Sequence, residues 1–346
     1  MTDTNRQWLL KRRPQGALSL DDFEYREIPA PSDDLKPGEV IVRNVVFLCA
    51  PTMRNWMDPP GNSLYPSTPL GEPVMATAVG RVTASADPEL PVGTRVNLIS
   101  SWQDYVKISG TTLRRPSPLP DGITYTEAMG RFGLNPMTAY FGLLEVGQPQ
   151  AGETLVVSGA AGSTGSTAAQ IGRIKGLRVI GIAGGEEKCS WLTNDCGLDA
   201  AIDYKSENVA ERLGELCPQG INVFYDNVGG EILQAAVDNM APFGRIVLCG
   251  QISSYDSEES PEGPRNMMRL VYGGIRMQGF LASHFVKRFG EAITALRGWA
   301  ESGDIVYRED LREGFENLPA AYMSLFDGSN AGTLLVGISD EVTETS

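Results

Sequence analysis

Thr154-Leu155-Val156-Val157-Ser158-Gly159-Ala160-Ala161-Gly162-Ser163-Thr164-Gly165 is the stretch that decides the fold. Its apolar, β-branched opening reads as a buried strand. The glycine-rich segment behind it reads as a tight turn. Residues 163–176, with Ala168, Ile171 and Ile174 recurring at helical spacing, read as a helix. Set against the pattern G-x-G-x-x-G, Ala160 occupies the first glycine position, and Gly162 and Gly165 fill the other two. Gly162 would let the backbone approach a pyrophosphate, and Gly165 would let the helix pack close to the strand. The helix N-terminus adds N–H groups and the positive end of its dipole. A glycine string alone is an ordinary strand–helix turn. This one follows a strand, opens a helix and heads a series of alternating elements, a context that points to dinucleotide binding.

Outward from the turn, residues 177–182, 200–203, 223–226, 245–249 and 277–280 read as further strands. Helix-like segments at 185–195, 209–216 and 231–240 lie between them. Such alternation predicts βαβ units and a parallel sheet covered on both faces. Upstream, residues 1 to about 125 alternate polar and apolar at 39–46, 79–82 and 93–98, punctuated by Pro37-Gly38, Pro59-Pro60-Gly61, Pro116, Pro118 and Pro120. Short strands with frequent turns predict a partly open barrel. Residues 307–338 return to a strand, a helix over 318–326 and a strand over 333–336. A doubly wound sheet holds about six strands, so these are expected to fold back onto the N-terminal domain. The prediction is therefore an α/β chain of two domains, consistent with 346 residues. Residues 1–130, completed by 305–346, would form a substrate domain, and residues 131–304 a Rossmann nucleotide domain.

Composition narrows the chemistry. The 29 Lys and Arg against 43 Asp and Glu give a net charge of −14, which argues against a nucleic-acid partner. No apolar run is long enough to span a bilayer, and the N-terminus lacks the pattern of a secretory signal. Cys49, Cys189, Cys196, Cys217 and Cys249 are odd in number and scattered, as expected in a reducing cytoplasm. His284 is the only histidine. Without closely paired cysteines or further histidines, a zinc site or a Ser-His-Asp triad is hard to assemble. Chemistry without histidine favours a cofactor that brings its own reactive atom.

The second strand of the series bears on which cofactor. NAD enzymes place an acid about 20 residues after the glycine turn, to hold the ribose 2′-OH. Here that position reads Gly181-Ile182-Ala183-Gly184-Gly185, without an acid. Lys188 follows, and Tyr204 and Lys205 stand just past the third strand. Positive charge and a hydroxyl suit a 2′-phosphate, so NADP(H) is expected. Glu186 and Glu187 work against it, although both are also good residues for a first helical turn.

From Gly152 to Ser254 the chain resembles the zinc-independent medium-chain dehydrogenases/reductases. The subgroup is that of the prostaglandin and leukotriene reductases, plant alkenal double-bond reductases and bacterial curcumin reductase. The resemblance is carried by Ala160–Gly165, Gly181–Lys188, Phe224-Tyr225-Asp226-Asn227-Val228-Gly229-Gly230, Phe243-Gly244-Arg245-Ile246 and Cys249-Gly250-Gln251-Ile252-Ser253-Ser254-Tyr255. Weaker matches at Thr138–Leu143, Arg276–Phe280 and Gly328–Gly332, and at the opening Asn5–Trp8, extend it over nearly the whole chain.

The resemblance implies a GroES-like barrel domain around an inserted Rossmann domain and a homodimer. It also implies NADPH-dependent reduction of the C=C bond of small apolar α,β-unsaturated ketones and aldehydes. Carried over by position, Lys188 and Tyr204 would hold the 2′-phosphate, while Gly162, Ser163, Thr164 and Gly165 would face the pyrophosphate. Thr138, Asn227, Cys249, Tyr255, Phe280, Leu281, Ala282 and Asn330 would line the cofactor. Tyr255, as the catalytic residue, or a ribose hydroxyl of the cofactor would be the donor to the enolate oxygen left after hydride reaches the β-carbon. Zinc-dependent relatives carry Gly-His-Glu where this chain has Gly71-Glu72, which leaves Cys49 without a ligand set. Two departures fall at the substrate end. Thr52 replaces a pocket tyrosine, and Leu134-Asn135-Pro136-Met137 replaces a Met-Pro-Gly run. A Lys that often follows the glycine is also absent from Asn330-Ala331-Gly332-Thr333. An altered pocket keeps open a zinc-free carbonyl oxidoreductase, and a nucleotide-binding protein without turnover.

Other readings stay plain. His284 reads as a surface or helix-start residue rather than a base. Trp56, Tyr65 and Trp102 either shape an apolar pocket or pack in the core, with Thr52 and Tyr65 as the candidate substrate contacts. Glu258-Glu259, with Pro261 and Pro264, reads as an exposed loop that could act as a lid.

Overall fold

The structure, a computed structural model, describes residues 4–61, 67–109, 115–255 and 263–342. Two compact units divide the chain, Met1–Gly130 with Glu309–Ser346, and Arg131–Arg308. The second crossing falls after Arg308, four residues beyond the position read from the sequence.

In the first unit β1 (Thr4–Leu10) pairs antiparallel with β2 (Phe23–Pro29). Strands β3 (Glu39–Leu48), β4 (Met75–Ser85), β5 (Arg95–Ser101), β6 (Tyr105–Ser109) and β7 (Ser117–Pro118) follow, then the short helix α1 (Tyr125–Met129). Register shifts in the β3–β4 ladder, between Ile41 and Val42 and between Asn44 and Val46, bend this long pair.

The second unit opens with α2 (Leu134–Phe141), which runs into a π-helical turn, Gly142–Gly147. Strand β8 (Thr154–Ser158) leads to α3 (Ser163–Ile174), β9 (Arg178–Ala183) to α4 (Glu186–Asn194), and β10 (Ala200–Asp203) to α5 (Val209–Leu216). Then come β11 (Ile221–Asp226), α6 (Gly230–Asp238), β12 (Met240–Leu248), α7 (Met268–Gly273), β13 (Arg276–Gly279) and α8 (Phe289–Glu301). The six strands lie parallel in the order β10-β9-β8-β11-β12-β13. Leu155 and Val157 enter one apolar cluster with Phe141, Ile171 and Leu296, while Val156 enters another with Ile180, Phe224 and Ile246. Period-two alternation between two covered faces is why β8 reads as an unbroken apolar run. Helix α6 stops before Met240, which already belongs to β12, so the helix read over 231–240 is too long by its last residues.

The chain then returns to the first unit with β14 (Glu309–Glu313), α9 (Leu318–Asp327) and β15 (Thr333–Gly337). One edge of β3 is shared: Glu39–Arg43 pair with β6, and Val46–Leu48 pair with β15. Two partners on one edge, together with the bulges, curl the sheet β14-β15-β3-β4-β5-β7 into the partly open GroES-like barrel. Its core gathers Phe47, Met57, Trp102, Phe315 and Tyr322, with Trp102 edge-on to Tyr322 at 5.8 Å between ring centres. Among the described residues no helix is long and apolar enough to cross a membrane.

Candidate active site

In the parallel sheet the strand order reverses between β8 and β11, and the crevice beyond the carboxyl ends of such strands is where ligands bind. The turn out of β8 is built for it. Gly159 takes a positive φ of 57°, the Ala160 N–H donates to the Ile182 carbonyl at 3.0 Å, and the Gly162 N–H donates to the Gly159 carbonyl at 3.1 Å. Gly162 is the N-cap of α3 and no side chain caps that end, so the first-turn N–H groups of Ser163, Thr164 and Gly165 face outward. A Cβ on Gly165 would overlap the Gly159 carbonyl oxygen, so only glycine lets the helix start this close. Ala160, at the first glycine position, has room because its neighbour on β9 is Gly181, where a Cβ would come within 3.0 Å of the Ala160 Cβ. Uncapped donors in a glycine cradle fit a pyrophosphate.

At the end of β9, the Tyr204 ring lies over Gly184, where a Cβ would come within 2.9 Å of it. Asp203 is the acid nearest this strand end, and its carboxylate is engaged. It accepts the Gly185 N–H at 2.8 Å, the Lys205 N–H at 3.0 Å and the Ser206 hydroxyl at 2.9 Å. Those donors hold its carboxyl below the usual range. Lys188 is half-buried in the first turn of α4, Tyr204 is exposed, and Glu187 is bonded by Arg308 at 2.6 Å.

The ends of β8, β11 and β12 are tied by a network that the sequence reading missed. Asp226 is 1% exposed and accepts the Ser158 hydroxyl at 2.7 Å and the Val228 and Gly229 N–H groups at 3.0 Å each. Burial raises its carboxyl, with the three donors acting in opposition. Asn227 closes the circuit, its N–H donating to Ser158 Oγ at 2.8 Å and its Nδ2 to the Ser158 carbonyl at 2.7 Å. The signal was present in Asp226-Asn227-Val228-Gly229-Gly230, read only as a family match. Cys249 donates its N–H to the Asp226 carbonyl at 2.8 Å, and its thiol meets the Tyr225 hydroxyl, with burial pushing it up to about 12. Tyr225 in turn donates to the Thr138 carbonyl at 3.1 Å. The Phe280 ring and the Tyr225 hydroxyl both close over Gly142, where a Cβ would overlap the ring. Thr138, Asn227, Cys249 and Phe280 are thus brought to one end of the sheet.

Tyr255 follows the short turn Ile252–Ser254, and its hydroxyl accepts the Gln251 N–H at 3.3 Å. Leu281 and Ala282 lead into the 3₁₀ turn Ala282–Arg288, where the exposed His284 accepts the Leu281 N–H on Nδ1 at 3.4 Å, a helix-start role. That turn is clamped to α2 by a second network. Arg288 bonds Glu145 at 2.8 Å and Glu291 at 2.9 Å, and the Tyr140 hydroxyl donates to Glu291 at 2.9 Å.

The remaining candidates belong to the N-terminal unit. Thr52 is exposed on the 3₁₀ turn Pro51–Met57, and Asn330 donates from Nδ2 to the Gly332 carbonyl at 3.2 Å. Trp56 and Trp102 are buried in the core. Tyr65 and residues 256–262, including Glu258, Glu259 and Pro261, lie outside the described residues. Among the described residues no three His, Cys, Asp or Glu side chains gather as a metal site.

A barrel unit joined to a six-stranded sheet of this order, with a glycine turn at its switch point, defines a two-domain, dinucleotide-binding class of protein. Residues 6–115 match the family model described as the N-terminal domain of oxidoreductase, and residues 163–297 the one described as zinc-binding dehydrogenase. The NADPH-dependent curcumin reductase of Escherichia coli (strain K12) is 37% identical over 97% of this chain and 98% of its own length. The 2-alkenal reductase (NADP(+)-dependent) of Nicotiana tabacum is 34% identical over 98% of each. The crystal structure of CurA from Vibrio vulnificus in complex with NADPH superposes with a TM-score of 0.89 at 37% identity, covering 97% of this chain and 99% of that one. The chain belongs to the medium-chain dehydrogenase/reductase family and is an NADP-dependent oxidoreductase.

Proposed function

We propose that this protein reduces the C=C bond of small apolar α,β-unsaturated ketones and aldehydes with NADPH. The whole-length likeness to a curcumin reductase and a 2-alkenal reductase carries the reading. NADPH, when bound, supplies the hydride for the β-carbon. The outward N–H groups of Ser163, Thr164 and Gly165 hold the pyrophosphate, with the glycine backbone of Gly162 letting it approach closely, and Lys188 and Tyr204 hold the 2′-phosphate. Thr138, Asn227 and Cys249, on the tied strand ends, position the nicotinamide side, with Phe280, Leu281 and Ala282 beside them. Addition at the β-carbon leaves enolate charge on the substrate oxygen. Tyr255, whose hydroxyl accepts the Gln251 N–H, is the catalytic donor to that oxygen, a role the family resemblance supports. The α-carbon then takes a proton from Tyr255 or from water.

The reaction runs without zinc. Cys49, near where zinc-dependent relatives carry a metal cysteine, is packed in the barrel core, where burial pushes its thiol up to about 12. Residues 1–130 with the C-terminal return serve as the substrate domain, with Thr52 and Tyr65 as its candidate substrate contacts, and residues 131–308 hold the cofactor. All five cysteines are unpaired, which supports a reducing cytoplasm. Two copies pair as a homodimer along β13, the sheet edge, beside which Phe243, Val271 and Tyr272 are 78, 67 and 86% exposed.

The deciding experiment follows NADPH and NADH oxidation in parallel with an aliphatic enone and identifies the product. NADPH-selective formation of the saturated ketone is expected. An allylic alcohol would instead establish a carbonyl reductase on this scaffold. Tight NADPH binding without turnover across a broad enone panel would remove catalysis from the account.

A further inference from the structure

The first turn of α4 sets a charge problem at the 2′-phosphate site. Glu186, Glu187 and Lys188 are consecutive there and sum to −1. A phosphate dianion held by Lys188 would have two carboxylates beside its only first-turn cation. The chain answers with a residue far away in sequence. Arg308 Nη2 donates to Glu187 Oε1 at 2.6 Å, across 121 positions. The guanidinium holds the Glu187 carboxyl below its usual range, so the acid is ionised and matched. The two side chains are 33 and 79% exposed, and an exposed pair of this kind adds little to stability. Its effect on the local potential is the larger consequence. With Arg308 counted, the charge of this turn is zero.

We propose that Arg308 is a positioning residue for NADP selectivity, which by pairing with Glu187 removes a repelling charge from the 2′-phosphate site that Lys188 and Tyr204 form. The inference rests on the assignment of that phosphate to Lys188 and Tyr204. It concerns residues that direct contact with the cofactor would not single out, since Arg308 acts through an acid.

Calorimetric titration of the full-length protein tests it, with adenosine 2′,5′-bisphosphate as the probe that carries the phosphate and AMP as the probe that lacks it. Arg308→Ala weakens the bisphosphate by roughly 3- to 10-fold, the size of one unscreened unit charge near a dianion, and leaves AMP within about twofold. Adding Glu187→Gln to that variant restores the bisphosphate to within about twofold of the wild type, because the charge left exposed is gone. A double variant as weak as Arg308→Ala would overturn the proposal, since Arg308 would then not act through Glu187. Equal weakening for both probes would overturn it too, by making the role structural. Lys188→Ala separates the two levels. If it leaves the preference for the bisphosphate intact, the phosphate assignment itself falls. If it removes that preference while Arg308→Ala does not, only the role of Arg308 falls.

Discussion

Ala160 and Gly181 form a matched pair of side-chain sizes across two neighbouring strands, and the dinucleotide turn depends on it. A Cβ on Gly181 would stand 3.0 Å from Ala160 Cβ, 2.9 Å from Leu192 Cδ1 and 3.0 Å from Leu198 Cδ2. Gly181→Ala therefore overpacks the turn and is expected to cost about 1–3 kcal/mol in chemical denaturation. Ala160→Gly in the same chain removes one of the three contacts and recovers part of the loss. Full additivity of the two changes would show that the residues do not share space. Tyr255 gives a test of chemistry at the same scale. Tyr255→Phe removes a single donor to developing oxyanion charge, so kcat falls by roughly 100-fold while KM for NADPH holds. A rise in that KM with kcat unchanged would leave Tyr255 only its cofactor-lining role and remove the catalytic one.

Between elements, Arg245 on β12 does what no local pattern shows. Its guanidinium donates from Nε to the Gly147 carbonyl at 2.9 Å, from Nη2 to the Gln148 carbonyl at 3.0 Å and from Nη1 to Glu153 at 2.8 Å. Gln148 has φ 47°, in the left-handed region, so these bonds hold an unfavourable backbone where α2 and its π turn give way to β8. Burial pushes the Glu153 carboxyl up, but Arg245 and the Gln150 N–H more than offset it, and the folded value lies below the ordinary 4.5. Its contribution is present above that ordinary value and lost as pH falls through the folded one. Glu153→Gln should thus lose on the order of 1–3 kcal/mol near neutral pH, with the gap to wild type closing in acid. A gap that persists unchanged into acid would place its origin elsewhere. What the sequence made legible at this scale was whatever one contiguous segment decides. Strand β8, its glycine turn and α3 are such a segment, because burial on both faces leaves an unbroken apolar run. The end of α6 was not legible, since Met240 and Ala241 are apolar in helix or strand alike. Nor was the clamp of Arg245, Gln148 and Glu153, which only the fold brings together.

Across the whole molecule, the two units differ in how the chain builds them. The nucleotide unit, Arg131–Arg308, is one uninterrupted stretch, whereas the barrel needs β14, α9 and β15 from the far end of the chain. The return of residues 307–338 was inferred from the capacity of a six-stranded sheet, a rule of topology rather than a property of those residues. The difference has a consequence for stability. Deleting 309–346 takes β15 from the edge of β3 and Phe315 and Tyr322 from the barrel core, so the barrel unit should fail to fold. A fragment spanning 131–308 keeps every strand of its sheet and both of its apolar clusters, and should fold alone. Because the proposed pyrophosphate and 2′-phosphate groups all lie in that fragment, it should also bind adenosine 2′,5′-bisphosphate. At about 100 times the dissociation constant, mass action adds about 2.7 kcal/mol, which for a domain of this size raises Tm by roughly 5–10 °C. AMP at the same concentration should raise it less. A fragment that folds with no shift for either ligand would move the nucleotide site away from the β8–α3 turn.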